Sequence, residues 1–208
     1  MSLKSEQSAL SRMFEIAQEN TGWVALWCGM SVAIEFIVAT DSLIYILIGI
    51  LAQWLASFYF YKALLARSGY QADLANLGLF LATSLVMALG IGLGGLFLIV
   101  PGVILYIRWI VAIQILLSEG LSPLDAISQS WERTRGKAGD IFVSHLPALG
   151  LWLVSSIWFD MVDEGNLGAL VVPAVLSGFG GALIFCCSMA FYERLSAPKD
   201  SSERAPSH

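Results

Sequence analysis

The sequence predicts an all-α membrane protein: a bundle of six transmembrane helices with amphipathic interfacial helices on the cytoplasmic side. Of its 208 residues, 57% are hydrophobic and only 13% are charged, whereas soluble chains are about half apolar and about a quarter charged. The apolar residues also form long runs, which is typical of membrane spans. The net charge of −5 disfavours a nucleic-acid partner, because that partner calls for a basic surface.

Six apolar runs are long enough to cross a hydrocarbon core of about 30 Å, which needs about 20 helical residues. They lie near 22–40, 43–61, 77–100, 102–118, 141–159 and 167–191. Together they predict a transmembrane domain over 22–195. Residues 1–21 precede it and contain an amphipathic helix whose apolar residues share one face: Ala9, Leu10, Met13, Phe14 and Ala17. The polar segment 196–208 predicts a disordered tail.

The distribution of Lys and Arg predicts the orientation in the membrane. Of the eleven basic residues, all but Arg108 fall in segments on one side of the predicted spans. Positively charged segments stay on the cytoplasmic side. Both termini are therefore predicted to be cytoplasmic.

A second amphipathic helix is predicted over about 122–136, between the fourth and fifth spans. Ser122 is a favourable N-cap, Pro123 suits the first helical position and Asp125 suits the first turn. Three basic residues stand at the end of this segment: Arg133, Arg135 and Lys137. They either bind anionic lipid headgroups at the membrane surface or only fix the topology.

Residues 99–142 carry a resemblance to a known membrane family. The resemblance lies in the Ile-Val-Pro-Gly-Val-Ile-Leu run that starts at Ile99, and in the segment from Glu119 to Gly136. This string resembles the glycerophosphodiester phosphodiesterase membrane domain and its relatives, which are six-span bacterial inner-membrane proteins. Gln114 departs from the pattern, since many relatives have a proline near that position. The resemblance implies an inner-membrane location and no reaction, because the phosphodiesterase chemistry resides in a separate soluble domain.

Three ionisable residues lie inside the predicted spans and are candidates for function: Glu35, Arg108 and His145. Glu35 lies six residues before Asp41, and Arg108 lies seven residues after Pro101. At about 1.5 Å per residue, both fall about 9–10 Å below the outer end. Opposite charges at matched depth predict a Glu35–Arg108 pair. The pair is either a site that binds a phosphate headgroup through Arg108 or a structural salt bridge.

Glu119 extends this candidate polar site toward the cytoplasmic end. Arg108 and Glu119 are eleven residues apart and fall on one face of a continuous helix. Glu119 is also expected near the level of His145. Either the three residues form a pathway through the membrane, or Glu119 and His145 are two unrelated residues at its boundary.

Small residues predict two tightly packed helices. Gly90 and Gly94 form a small-xxx-small pair. A longer stripe recurs every four residues in the last span: Ala174, Gly178, Ala182, Cys186 and Ala190. The stripe packs either within the chain or across a dimer, so the oligomeric state is left open.

The sequence contains no enzyme motif, and its three cysteines fall in apolar runs. These observations predict a non-enzymatic protein without a cofactor or metal. One hypothesis is a role in membrane or lipid homeostasis, holding membrane lipid or a partner protein. The second is a small transporter or lipid translocator that uses Glu35 and Arg108, and the third is an accessory subunit of a membrane complex.

Overall fold

The computed structural model describes residues 8–38, 42–161 and 167–196. Within these ranges 89% of residues are helical and no strand is present. The α-helices are α1 (Ala9–Glu19), α2 (Thr21–Val38), α3 (Leu43–Arg67), α4 (Leu77–Phe97), α5 (Ile99–Trp109), α6 (Ala112–Glu119), α7 (Pro123–Arg133), α8 (Ala138–Met161) and α9 (Val171–Ser196). Short 3₁₀ turns over Leu74–Asn76 and Leu167–Leu170 precede α4 and α9. The predicted tail 196–208 lies outside the described residues from 197 onward.

Five helical segments are long and apolar enough to cross a membrane: Leu43–Arg67, Leu74–Phe97, Ile99–Glu119, Ala138–Phe159 and Gly168–Ser196. These segments make the chain an all-helical, multi-pass membrane protein. Thr21–Ile37 is also apolar but shorter, and at about 1.5 Å per residue it measures about 26 Å. The predicted span 22–40 runs past it to residue 40, and residues 39 and 40 lie outside the described ranges.

The small-residue stripe of α9 packs inside the chain. Each of its five members is buried: Ala174, Gly178, Ala182, Cys186 and Ala190. A Cβ atom added at Gly178 would lie 3.0 Å from the Cα atom of Cys28 in α2. On another face of α9, a Cβ atom at Gly180 would lie 3.0 Å from the carbonyl oxygen of Ala148 in α8. The small residues therefore let α2 and α8 approach the backbone of α9 closely.

Glycines also bring α4 and α5 together. A Cβ atom at Gly90 would lie 2.5 Å from the indole of Trp109. A Cβ atom at Gly94 would lie 3.1 Å from the backbone of Gly102, and one at Gly102 would lie 2.7 Å from the nitrogen of Gly95. At this point the two backbones are in direct contact, which leaves no room for a side chain.

Helix α1 docks on the end of α9, and its predicted single apolar face is divided. Ala9, Met13 and Ile16 are buried, whereas Leu10 and Phe14 are exposed. Arg12 fixes the docking through its Nε, which donates to Glu193 Oε2 at 2.9 Å. This hydrogen bond raises the pKa of the Arg12 guanidinium above its usual value. The predicted amphipathic face is therefore present, and its buried part packs on protein while Leu10 and Phe14 remain exposed.

Candidate functional site

The predicted fourth span is interrupted near its middle. Helix α5 ends at Trp109, and α6 begins at Ala112 after a turn. Val111 leaves helical geometry, with φ −104 and ψ 7. In a continuous helix the carbonyl of Arg108 would accept from the Ala112 nitrogen, and at this break that hydrogen bond is not formed. The predicted continuous face from Arg108 to Glu119 is therefore not formed.

Helix α7 supplies the missing hydrogen bond. It follows α6 after a short loop in which Gly120 has φ +67, and it folds back along α6. The buried Ser130 donates its hydroxyl to the Arg108 carbonyl oxygen at 2.7 Å. The Ser122 N-cap and Pro123 at the start of α7 confirm the predicted helix beginning. The helix ends at Arg133, three residues before the predicted end at residue 136.

The Arg108 side chain lies over α7 and not beside Glu35. Its guanidinium carbon lies 5.4 Å from the centre of the Trp131 ring, within the range of a cation–π interaction. In the part of the chain that the structure describes, no ion pair joins Arg108 and Glu35. The predicted pair was wrong because matched depth says nothing about the direction in which two helices face.

Glu119 is engaged at the end of α6. Arg133 donates to its two oxygens at 2.6 and 2.7 Å, and the Tyr192 hydroxyl donates to it at 3.3 Å. The hydrogen bond with Glu119 raises the pKa of the Arg133 guanidinium above its usual value. Of the three predicted membrane-surface cations, Arg133 therefore forms an ion pair with Glu119. Arg135 is exposed and Lys137 is partly exposed.

His145 is buried where α8 packs against α5 and α9. Its Nδ1 is 2.7 Å from the Ile141 carbonyl oxygen, and the rings of Tyr106 and Phe191 flank it. No hydrogen bond or ion pair among the described residues links it to Arg108 or Glu119. The predicted line of three residues is therefore not assembled. Across 8–38, 42–161 and 167–196, no cluster of His, Cys, Asp and Glu is able to hold a metal ion.

Glu35 lines a cleft of about 430 Å³ between α2, α3, α8 and α9, here called the Glu35 cleft. Its polar lining residues are Ser31, Glu35, Gln53 and Ser177. Three tryptophans line it as well: Trp27, Trp54 and Trp152. Its volume falls within the range of sites that hold small ligands, about 300–1,000 Å³.

The Glu35 cleft lies toward one end of the bundle, where α2 and α8 end and α3 and α9 begin. Counting along the helices at about 1.5 Å per residue, Glu35 lies about 5 Å from the end of α2. On the same scale Gln53 lies about 15 Å from the start of α3, and Trp27 about 17 Å from the end of α2. Glu35 is therefore the lining residue of α2 nearest the end of that helix, and Trp27 lies deeper along it.

A smaller groove of about 170 Å³ adjoins the cleft between α2 and α3. Trp27 lines both spaces. The described lining residues of this groove are apolar or aromatic, among them Trp23, Met30 and Phe60. Cleft and groove together thus offer a polar end and an apolar end along α2.

Sequence reasoning found Glu35 but missed the other residues of the cleft. Gln53 is the one signal that was available, because an amide inside an apolar span is costly to expose to lipid. The tryptophans carry no such signal, since aromatic residues in spans are also typical of lipid-facing surfaces.

No protein-family model, curated protein sequence or solved structure matches the chain. The family resemblance over residues 99–142 accordingly stays a prediction. A functional proposal for this chain therefore rests on the residues that line the cleft.

Proposed function

We propose that this chain is a non-enzymatic integral membrane protein that holds a membrane lipid or similar amphiphile in the Glu35 cleft, with a role in membrane or lipid homeostasis. One observation carries the proposal: a cleft that holds Glu35, Gln53 and two serines adjoins an apolar groove, and Trp27 lines both. An amphiphile has the same division into a polar and an apolar part. Its polar group would lie in the cleft beside Glu35, Gln53 and Ser177. Its apolar part would lie against Trp27 and in the groove.

The proposed setting is a bacterial inner membrane crossed six times, with α2 as the first span and both termini in the cytoplasm. The charge distribution supports this orientation. The family resemblance over residues 99–142 supports the inner membrane. Exposed apolar side chains on α1 and α7 support an interfacial position for both helices, because such residues enter the boundary between headgroups and acyl chains. Examples are Phe14 and Leu124.

The geometry favours a lipid-holding protein over the two alternatives. A transporter that uses a Glu35–Arg108 site needs those two side chains together, and Arg108 instead lies over Trp131. An accessory subunit bound through the small-residue stripe of α9 needs that stripe on the outside, and the stripe is buried within the chain.

Filling the cleft is expected to remove a retained lipid. In the variant Ser177→Trp, a large indole replaces a half-buried hydroxyl that lines the cleft. The wild type and this variant would be released from lipid nanodiscs and weighed by native mass spectrometry. We expect a phospholipid adduct on the wild type and its loss in the variant.

Val175→Trp is the matched control, because it places the same indole at an exposed position of the same helix. The control should keep the adduct. Equal adducts on all three proteins, or none on the wild type, would overturn the proposal.

A further inference from the structure

The Glu35 cleft contains one ionisable group, a carboxyl without a basic partner among the described residues. Glu35 is the one ionisable side chain among the described residues that line the cleft. Throughout the described ranges, no ion pair joins its carboxylate to a basic residue. An ionised carboxylate within a membrane span is costly unless a cation or water compensates it, and without either it takes up a proton. A cation bound beside Glu35 would hold it ionised. The cleft is therefore complementary to a positive group.

The aromatic lining points to the same chemistry. Trp27, Trp54 and Trp152 come from three different helices and line one space. The indole face attracts cations more strongly than other aromatic rings do, and rings grouped around a pocket recognise quaternary ammonium groups. A site with one carboxylate and several indoles thus combines two kinds of attraction for an organic cation.

An anionic headgroup does not fit this cleft. Its described lining includes no Lys, Arg or His. Arg108, the cation inside the predicted spans, has its guanidinium over Trp131 of α7. A phosphate placed beside Glu35 would meet a like charge, which is unfavourable in a medium of low dielectric constant.

We propose that the occupant of the Glu35 cleft is an amphipathic organic cation, in which an ammonium-type group binds beside Glu35 and an apolar body lies against the tryptophans. This inference rests on the proposed function and specifies the class of its ligand. The positive group belongs either to a lipid headgroup or to a free lipophilic cation.

Binding of tetraphenylphosphonium tests the inference. Equilibrium dialysis would use the purified full chain in maltoside micelles, with empty micelles subtracted. We expect saturable binding that Glu35→Gln weakens by about tenfold or more, because it removes the charge and keeps the shape. Tetraphenylborate, which has the same shape and the opposite charge, should not show saturable binding.

Two matched pairs of variants separate the cleft from general effects. Glu132→Gln removes a carboxylate from an exposed position of α7 and should leave binding unchanged. Trp152→Leu removes an indole of the cleft, whereas Trp158→Leu removes an exposed indole of the same helix outside the described lining. Of these two tryptophan variants, only Trp152→Leu should weaken tetraphenylphosphonium binding. Equal affinity in wild type and Glu35→Gln, or saturable tetraphenylborate binding, would overturn the inference.

The lipid composition identifies the source of the positive group. In nanodiscs of phosphatidylglycerol alone, no lipid ammonium competes with the probe. Adding phosphatidylethanolamine should weaken tetraphenylphosphonium binding if the cleft takes a lipid headgroup, and should leave it unchanged if the cleft takes a free cation.

The two proposals fail in distinguishable ways. A phospholipid adduct that Ser177→Trp removes, without tetraphenylphosphonium binding, would overturn the cationic ligand and keep the lipid-holding function. Probe binding that depends on Glu35, without any retained lipid, would support the cation site and overturn the lipid-holding function.

Discussion

Gly102→Ala is expected to destabilise the protein more than any other single-methyl change between α4 and α5. The added Cβ atom would lie 2.7 Å from the nitrogen of Gly95 and 2.8 Å from its Cα atom. Both atoms belong to the backbone, so the two helices must move apart. Overpacking of this kind costs about 1–3 kcal/mol. The loss would be measured as a lower thermal midpoint of the monodisperse protein in detergent.

Gly92→Ala is the control for this change. Gly92 lies in α4, and a Cβ atom there would meet nothing within 4 Å. Since alanine favours helix over glycine by about 1 kcal/mol, this variant should be as stable as the wild type or more stable. A thermal midpoint for Gly102→Ala at or above that of Gly92→Ala would contradict the close backbone contact of α4 and α5.

Ser130→Val is expected to destabilise the interrupted fourth span. The Ser130 hydroxyl donates at 2.7 Å to the Arg108 carbonyl oxygen, which the break between α5 and α6 leaves without its helical partner. Valine has no donor. The Thr134 hydroxyl also donates to this oxygen, at 3.4 Å, and in the variant it remains as a longer and weaker donor. Loss of the Ser130 hydrogen bond costs about 0.5–1.5 kcal/mol, and the thermal midpoint should fall accordingly.

Ser128→Val separates this hydrogen bond from the cost of placing valine in a helix. Ser128 is exposed on the same helix, so the change in helix propensity is the same and no buried partner is lost. Equal midpoints for the Ser128 and Ser130 variants would mean that the hydroxyl of Ser130 does not stabilise the break.

Local sequence patterns were sufficient for five of the membrane-crossing segments and for the start of α7. The start of α7 is encoded by Ser122 and Pro123, whose effects act within one helical turn. The break in the fourth span has a different origin. The hydroxyl that satisfies the Arg108 carbonyl comes from a residue 22 positions away, and no local pattern reports such a contact.

The position of a charge along a span was also easier to predict than its partner. Counting residues gave similar depths for Glu35 and Arg108, but depth does not specify which neighbour a helix faces. In the structure the Arg108 guanidinium lies over the Trp131 ring, whereas Glu35 lines the cleft. The cleft itself joins side chains of four helices, so its existence depends on tertiary packing that a single sequence does not display.

Photolabelling with a retained lipid tests most directly whether the Glu35 cleft holds an amphiphile. A phosphatidylethanolamine with a diazirine in its acyl chain would be incorporated into nanodiscs, and the protein would then be moved into detergent to remove bulk lipid before irradiation. Peptide mass spectrometry locates the label. The proposed function predicts labels at residues of the cleft and groove, such as Trp27, Met30 and Trp54. Labels confined to outward-facing positions such as Leu47 and Leu93 would contradict it.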